Sequence, residues 1–224
     1  MKIDAIDERL ELPLYGFAEA AKYLRLPKTT LEYWVHGTKR IPAIIRAAGE
    51  HPRSLSFMNL LECHMLSALK NDYNLRMPKI RKALVQLQER SLYRHPLVEE
   101  PLYTNRVDII HREIDKFINL NKPGQYVNPD LLLHFERIEK DSKGLLKFFP
   151  FVMGRTKDEP RFIVINPAVG FGKPVISGTG ISTAVIASRF NARDSIGDLA
   201  AEYGLQERQI EEAIRWESRT SITA

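Results

Sequence analysis

The feature that most constrains the fold of this chain is a pair of short helical patterns near the N-terminus, separated by a turn that contains a proline. In the first pattern, apolar residues recur at the spacing of one helix face, at Phe17, Ala20, Ala21 and Leu24. Pro27 disfavours helical backbone at Leu26, so the first helix should end there. Lys28 to Thr30 open a second helix that extends to about Val35. This arrangement predicts a helix-turn-helix, and residues 39–45 suit a wing.

The middle of the chain combines helical and irregular patterns. We expect a helix capped by Ser56, a helix over Lys79–Arg90 behind Pro78, and a helix from Asp130 to near Lys140. Short strands are predicted at Leu102–Thr104 and Asp108–Ile110, and residues 146–152 form an apolar, extended segment. The region between residues 96 and 155 is therefore expected to be a mixed α/β connection.

The C-terminal part begins with β patterns and ends with helices. We expect a strand over 161–167, a hairpin over the glycine-punctuated residues 170–181, and three short helices near Thr183–Phe190, Ser195–Tyr203 and Gln206–Trp216. Ser195 suits an N-cap, and Gly204 suits the left-handed position after a helix. The predicted fold is mainly α with small β elements. Its expected parts are a winged helix-turn-helix at 1–95, the connection at 96–155, and a β-hairpin with a three-helix module at 156–224.

Charge is distributed unevenly along the 224 residues, although the net charge is only +5. Residues 12–95 hold 14 Lys and Arg against 6 Asp and Glu, whereas residues 194–224 hold 3 against 7. A basic N-terminal block with an acidic tail is expected of a chain that has an anionic partner and a second, basic partner. The alternative is that the charged residues on both surfaces are only solvated and bind no partner.

Catalytic interpretations have little support in the residues. The chain has one cysteine, Cys63, which excludes an internal disulfide and a multi-cysteine zinc site. Its six histidines are widely spaced, and Lys173 precedes proline where a phosphate-binding loop needs Ser or Thr. A nuclease metal cluster could be imitated by Asp130, Glu136, Glu139 and Lys140, but such spacing is common on charged helices. We therefore expect no enzyme activity, metal or cofactor, and a nuclease is kept only as an alternative.

The start of the second helix suits DNA recognition. A helix-turn-helix places this helix in the major groove, so its first residues should be small, polar or basic. The candidate contacts are Lys28, Thr29, Thr30 and Tyr33 on the helix, with Lys39 and Arg40 at the wing tip. Trp34 is expected to pack inward. The alternatives remain open that residues 28–30 only cap the helix, and that Arg76, Lys79, Arg81 and Lys82 form a solvated face.

The last two helices also resemble a helix-turn-helix in their spacing, but their charge argues against DNA. The final helix carries Glu207, Glu211 and Glu212, which would face phosphates at a cost in free energy. We expect these three residues to bind a basic protein partner instead. A solvated acidic face is the alternative.

No stretch approaches the roughly 18 consecutive apolar residues of a membrane helix, so no membrane association is expected. The first residues lack the apolar core of a secretory signal. With a single cysteine in addition, the expected location is the cytoplasm.

Two parts of the chain resemble known families. Residues 14–90 resemble the MerR-like winged helix-turn-helix, through Gly16-Phe17, Glu19-Ala20-Ala21, Leu24, Thr30-Leu31, Trp34 and Phe57. Residues 161–217 resemble a small bacterial antitoxin family catalogued as a domain of unknown function, through Ile165-Asn166-Pro167, Gly172-Lys173-Pro174-Val175-Ile176, Gly178-Thr179, Gly180-Ile181, Ile196, Leu199 and Ala200. Together they resemble VapB-type antitoxins, which are encoded beside a PIN-like ribonuclease toxin.

This resemblance implies a non-enzymatic protein that represses its own operon by binding double-stranded promoter DNA and neutralises a PIN-like toxin. A homodimer is expected because operators with two half-sites need a two-fold protein. The alternative is a MerR-like transcriptional regulator whose middle and C-terminal parts sense a small ligand.

Overall fold

A computed structural model of the protein describes residues 7–50, 53–71, 76–99, 130–140, 145–154 and 156–220. The described residues are mainly helical, with small antiparallel strand pairs. The helices are α1 (Phe17–Leu24), α2 (Lys28–His36), α3 (Phe57–Asn71), α4 (Met77–Arg90), α5 (Asp130–Phe135), α6 (Thr183–Asn191), α7 (Ile196–Tyr203) and α8 (Glu207–Thr220). The strands pair as β1 (Gly49–Glu50) with β2 (Arg53–Ser54), β3 (Ile138–Lys140) with β4 (Leu146–Phe148), and β5 (Ile163–Val164) with β6 (Val175–Ile176).

Helices α1 and α2 lie where the sequence predicts a helix pair. α1 ends because Arg25 adopts a left-handed conformation, and its N–H donates to carbonyls of the last turn of α1. α2 begins at Lys28, the first of the three residues predicted to open it, and the Pro27 carbonyl accepts hydrogen bonds from the N–H groups of Thr30 and Leu31. It ends at Gly37, whose φ of +66° and contact with the backbone around Ile41 exclude a side chain.

The segment 39–45 is not the predicted wing. Thr38 and Ile41 exchange backbone hydrogen bonds across a tight turn, and the N–H groups of Ile44 and Ile45 donate to the Trp34 carbonyl at the end of α2. Because these donors satisfy the helix terminus, they are not available to a strand ladder. The hairpin lies farther along, at β1 and β2. Lys39 and Arg40 therefore lie in the loop between α2 and the hairpin, and their predicted position on a wing tip is wrong.

The predicted helix from Asp130 to Lys140 is also corrected. α5 ends at Phe135, and residues 138–140 form β3, which pairs with β4. Ile138 lies opposite Phe148 and both are buried, so strand pairing brings two large apolar side chains into the core. Phe148 also exchanges backbone hydrogen bonds with Ile165, which joins this strand pair to the C-terminal part. The strands predicted at 102–104 and 108–110 lie outside the described residues.

The C-terminal part has three helices, as predicted, behind a different β arrangement. The predicted hairpin over 170–181 is present only in its second half, where Val175 forms an antiparallel bridge with Ser182 and the Ile176 N–H donates to the Ile181 carbonyl. Residues 170–172 form a 3-10 turn instead, and β6 also pairs with β5. The side chain of Ser195 caps α7 by accepting the N–H of Asp198, and Gly204 ends α7 with φ +64°. Both capping predictions are confirmed.

In the part of the chain that the structure describes, the main hydrophobic core extends from Leu10 to Trp216 and includes buried residues of both ends, and Phe149, Val164 and Val175 form a smaller second cluster. α3 is the central element of the main core, since the residues from Phe57 to Leu69 are all buried. The core crosses the predicted boundaries at residues 95 and 155, so the N-terminal and C-terminal parts bury each other's apolar surface. Among the described helices, none is long and apolar enough to cross a membrane.

Candidate functional site

The outer side of α2 carries the helical residues that were predicted to contact DNA. Lys28 and Thr29 are exposed, whereas Thr30 and Tyr33 are half-buried. Trp34 is completely buried on the opposite side, as predicted. The Lys28 ammonium lies 3.4 Å from the Glu32 carboxylate, and both side chains are more than a third exposed, so water screens this ion pair. The structure thus places a cation and two hydroxyls at the start of α2.

Arg81 of α4 attaches this surface to the rest of the protein. Its Nη1 donates a hydrogen bond of 2.6 Å to the Pro42 carbonyl, and its guanidinium carbon lies 5.2 Å from the centroid of the Tyr33 ring. Its Nε and Nη2 are buried, and neither makes a hydrogen bond to a residue in the described ranges. A cation over an aromatic ring stabilises both groups. Arg81 therefore holds α2 and the loop that carries Lys39 and Arg40 together.

Sequence reasoning placed Arg81 only on a charged helix face. No local signal could have found its role, because Tyr33, Pro42 and Arg81 come from three separate parts of the chain. Lys39 and Arg40 are both exposed, so the structure places two further cations beside the end of α2.

Helix α1 is also docked against the C-terminal helices. Lys22 Nζ lies 2.9 Å from Glu217 Oε2, and the Arg25 guanidinium lies 5.5 Å from the centroid of the Trp216 ring. The Tyr15 hydroxyl donates to the Gly172 carbonyl at 3.1 Å, inside the protein. Polar contacts thus connect α1 and its flanking residues to α8 and to the 3-10 turn at residues 170–172, which we call the glycine turn.

The predicted acidic face of α8 is only partly exposed. Glu207 is exposed, and Glu211 is partly exposed and lies 3.1 Å from Arg215. Glu212 is 2% exposed, so its predicted place on the outer face is wrong. Burial raises the pKa of Glu212 above its ordinary value, although Arg215 at 3.4 Å opposes this shift. The sequence did contain the signal, since Glu212 precedes the buried Trp216 by one helical turn of four residues.

A buried charged cluster surrounds His95 at the end of the N-terminal part. Its Nε2 lies 2.6 Å from Glu11 and its Nδ1 lies 3.0 Å from Glu62, while its backbone N–H donates to Glu99. Burial opposes protonation of His95, but the hydrogen bonds to Glu11 and Glu62 outweigh it and raise the pKa to about 10. The protonated ring therefore connects the first residues of the chain to α3. Sequence reasoning missed this cluster, whose members are far apart in the chain.

The histidine, cysteine and glutamate side chains that could suggest catalysis are packed or paired within the protein. His64 is buried and packs 4.6 Å from the Phe148 ring, with its Nε2 3.2 Å from Nδ1 of His134. Cys63 is fully buried, and burial raises the pKa of its thiol, which disfavours the reactive thiolate. Glu139 lies in the β3–β4 sheet between Lys147 and Arg161. Within the described ranges, no group of three or more His, Cys, Asp or Glu side chains is arranged to hold a metal ion.

One family model matches the C-terminal part of the chain. Residues 163–216 match the family described as "Protein of unknown function (DUF433)". This segment contains β5, the glycine turn, β6 and the greater part of the three-helix module, and it agrees with the resemblance that the sequence predicted for residues 161–217.

Individual relatives match over nearly the whole chain. The protein is 26% identical to "Putative antitoxin VapB45" of Mycobacterium tuberculosis, covering 93% of this chain and 95% of the relative. It is 27% identical to "Uncharacterized protein Rv2308" of the same organism, covering 94% and 92%. The crystal structure of Rv2018 from Mycobacterium tuberculosis superposes with a TM-score of 0.70 at 25% identity, covering 94% of this chain and 99% of that one. The resemblance to VapB-type antitoxins is thereby confirmed, at low identity.

Proposed function

We propose that this protein is a DNA-binding antitoxin that represses its own operon and neutralises a PIN-like ribonuclease toxin. The observation that carries the proposal is the similarity to an antitoxin-named relative along nearly the whole length of both chains. Similarity of this extent includes the helix pair α1–α2 as well as the C-terminal segment, so it favours one protein with two binding surfaces. The protein acts in the cytoplasm, without catalysis.

In this proposal residues 1–95 act as a winged helix-turn-helix. α2 enters the major groove with Lys28, Thr29, Thr30 and Tyr33, and β1–β2 takes the place of the wing. Lys39 and Arg40 contact phosphates from the loop after α2 instead of from the hairpin tip. Arg81 keeps α2 and this loop in register. A homodimer places two copies of α2 on the two half-sites of an operator.

Residues 156–224 form the toxin-binding part, joined to the DNA-binding part through residues 96–155. A ribonuclease needs a cationic surface to hold RNA, and acidic side chains on the antitoxin complement such a surface. Glu207 is the exposed member of the predicted set, and Glu211 contributes its partly exposed carboxylate. Glu212 is buried and takes no part in this contact.

Co-expression with the product of the adjacent gene tests both activities in the full chain. We expect the two proteins to co-purify, the growth defect caused by the partner to disappear, and the antitoxin alone to shift a fragment of its own promoter. The double variant Glu207→Lys, Glu211→Lys should weaken co-purification at low salt and leave the promoter shift unchanged. The proposal requires the wild-type chain to bind both the partner and the promoter, and loss of either interaction would contradict it.

A further inference from the structure

A cleft of about 600 Å³ lies between α1, the first residue of α2, the two residues before β6, the start of α6 and Glu217 of α8. Small apolar side chains form much of its wall, including Ala18, Ala21, Pro174 and Ala184. Small-molecule sites are clefts of roughly 300–1,000 Å³ with mainly apolar walls and a few polar groups. The cleft has the dimensions and the lining of such a site.

The polar floor of the cleft is held in place by hydrogen bonds within the protein. Glu217 of α8 accepts a hydrogen bond of 2.9 Å from Lys22 and one of 2.6 Å from the hydroxyl of Thr183. Glu19 accepts a hydrogen bond of 2.7 Å from the hydroxyl of Tyr23. Both carboxylates that line the cleft are thus engaged by protein donors, and the floor is formed before any ligand arrives.

The donors that remain at the rim are cationic and come from two separate elements. Lys28 belongs to α2, and its pairing with Glu32 at 3.4 Å is exposed and therefore weak. Lys173 precedes β6 and is exposed, and no ion pair within the described part of the chain engages it. An anionic group at the rim would meet two ammonium groups, while the carboxylates below are already satisfied.

We propose that this cleft binds a small organic anion with a flat apolar body. The body lies against Ala184 and Pro174, and the anionic group lies between the ammonium groups of Lys28 and Lys173. A neutral ligand of the same shape would gain only the apolar contact with the wall and no interaction with the two ammonium groups. The proposed class of ligand is therefore an aromatic carboxylate, sulfonate or phosphate.

Binding in this cleft also affects α2 directly. Lys28 is both a rim residue and a proposed DNA contact, so an anion that engages Lys28 competes with the DNA phosphates for it. This second step rests on the proposed function, whereas ligand binding itself does not.

The test of binding compares two fluorescent probes of similar shape, the anion 8-anilinonaphthalene-1-sulfonate and its neutral analogue N-phenyl-1-naphthylamine, on the full chain. We expect one anion site per chain, at least about tenfold tighter than for the neutral probe. Lys173→Ala should remove most of this difference. Ala184→Phe should abolish binding of both probes, because the ring enters the cleft from an exposed position. Ala201→Phe, an exposed alanine on α7, is the matched control and should bind as the wild type does, with circular dichroism verifying each fold.

The proposal is overturned if Ala184→Phe binds the anion as tightly as the wild type, or if Lys173→Ala keeps the ratio between the probes. A second titration addresses regulation, and we expect the anionic probe to weaken promoter binding by the wild type several-fold but not by Ala184→Phe. If the wild type never binds the promoter, the proposed function fails while the site is still judged by the probes. If promoter affinity is the same with and without bound probe, only the regulatory step is overturned.

Discussion

The N-terminal and C-terminal parts of this protein hold their charges in different ways. On the N-terminal side, Lys39 and Arg40 are exposed and Lys28 has only a screened partner in Glu32. On the C-terminal side, Glu211 is paired with Arg215 and Glu212 is buried. A net charge counted along the sequence therefore overstates the acidic surface of α8 more than the basic surface around α2.

The buried charges show the same contrast. His95 lies between two carboxylates that stabilise its protonated form. For Glu212, desolvation outweighs the charges of the exposed Arg215 and of Arg25. The N-terminal part thus contains a compensated buried charge, and the C-terminal part contains a poorly compensated one. Exposure and pairing, not the count of charges, decide which surface is available to a partner.

The largest expected effect is the pH dependence of stability that comes from His95. Its pKa of about 10 in the folded protein exceeds the ordinary 6.5, so its contribution is complete below about pH 6.5 and is lost as the pH rises through 10. We expect the free energy of unfolding to fall by a few kcal/mol between pH 7 and 10, as an order of magnitude. Urea unfolding across this range measures it.

His95→Gln should flatten that decline, while the exposed His36→Gln should keep it. If His95→Gln loses stability with the same slope as the wild type, the protonated His95 between Glu11 and Glu62 is not what stabilises the fold.

Removing the loop cations should have the next largest effect, and it addresses the basic surface. Lys39→Ala with Arg40→Ala should weaken promoter binding on the order of 30-fold and lower the salt slope by about 2, because two phosphate contacts are lost. The matched control removes two exposed cations elsewhere, with Lys157→Ala and Arg208→Ala, and should change little. Equal losses in the two double variants, measured by gel shift at several salt concentrations, would show that only net charge matters.

Arg81→Lys separates geometry from charge. Lysine keeps the positive charge but cannot cover the Tyr33 ring and donate to the Pro42 carbonyl with a planar group. We expect promoter affinity to fall about tenfold with an unchanged salt slope. Arg76→Lys, at the start of the same helix, is the control and should bind normally. A salt slope that falls with Arg81→Lys would instead make Arg81 a direct phosphate contact.

The smallest effect is expected at Glu212. Its raised pKa means that the ionised form costs stability at neutral pH, so stability attributable to this group decreases as the pH rises above its ordinary 4.5. Glu212→Gln should raise the free energy of unfolding at pH 7 by up to about 1 kcal/mol, and less at pH 5. Exposed Glu207→Gln should change nothing. A marked loss of stability in Glu212→Gln would mean that its contact with Arg215 outweighs desolvation.

Local patterns were sufficient for the helical framework. The one-face spacing at Phe17 to Leu24, the proline before α2, the Ser195 cap and the glycine at 204 each act within a few residues, so the sequence alone predicts α1, α2 and α7 correctly. The resemblance at residues 161–217 likewise depends on short motifs. The same local signals failed at residues 39–45, where the end of the preceding helix accepts the backbone N–H groups, and at residues 136–140, where pairing with the following strand β4 decided the conformation.

Local sequence patterns predicted α1, α2 and the three C-terminal helices, the basic N-terminal part, and the family that the C-terminal part resembles. Tertiary structure decided which of those charges reach solvent. Arg81 meets Tyr33 and the Pro42 carbonyl, and His95 meets Glu11 and Glu62, only because packing around α3 brings separate segments together. Glu212 turned inward because α8 places it on the face of Trp216 against the common core. Helix formation is driven by neighbours along the chain, whereas burial and ion pairing depend on neighbours in space.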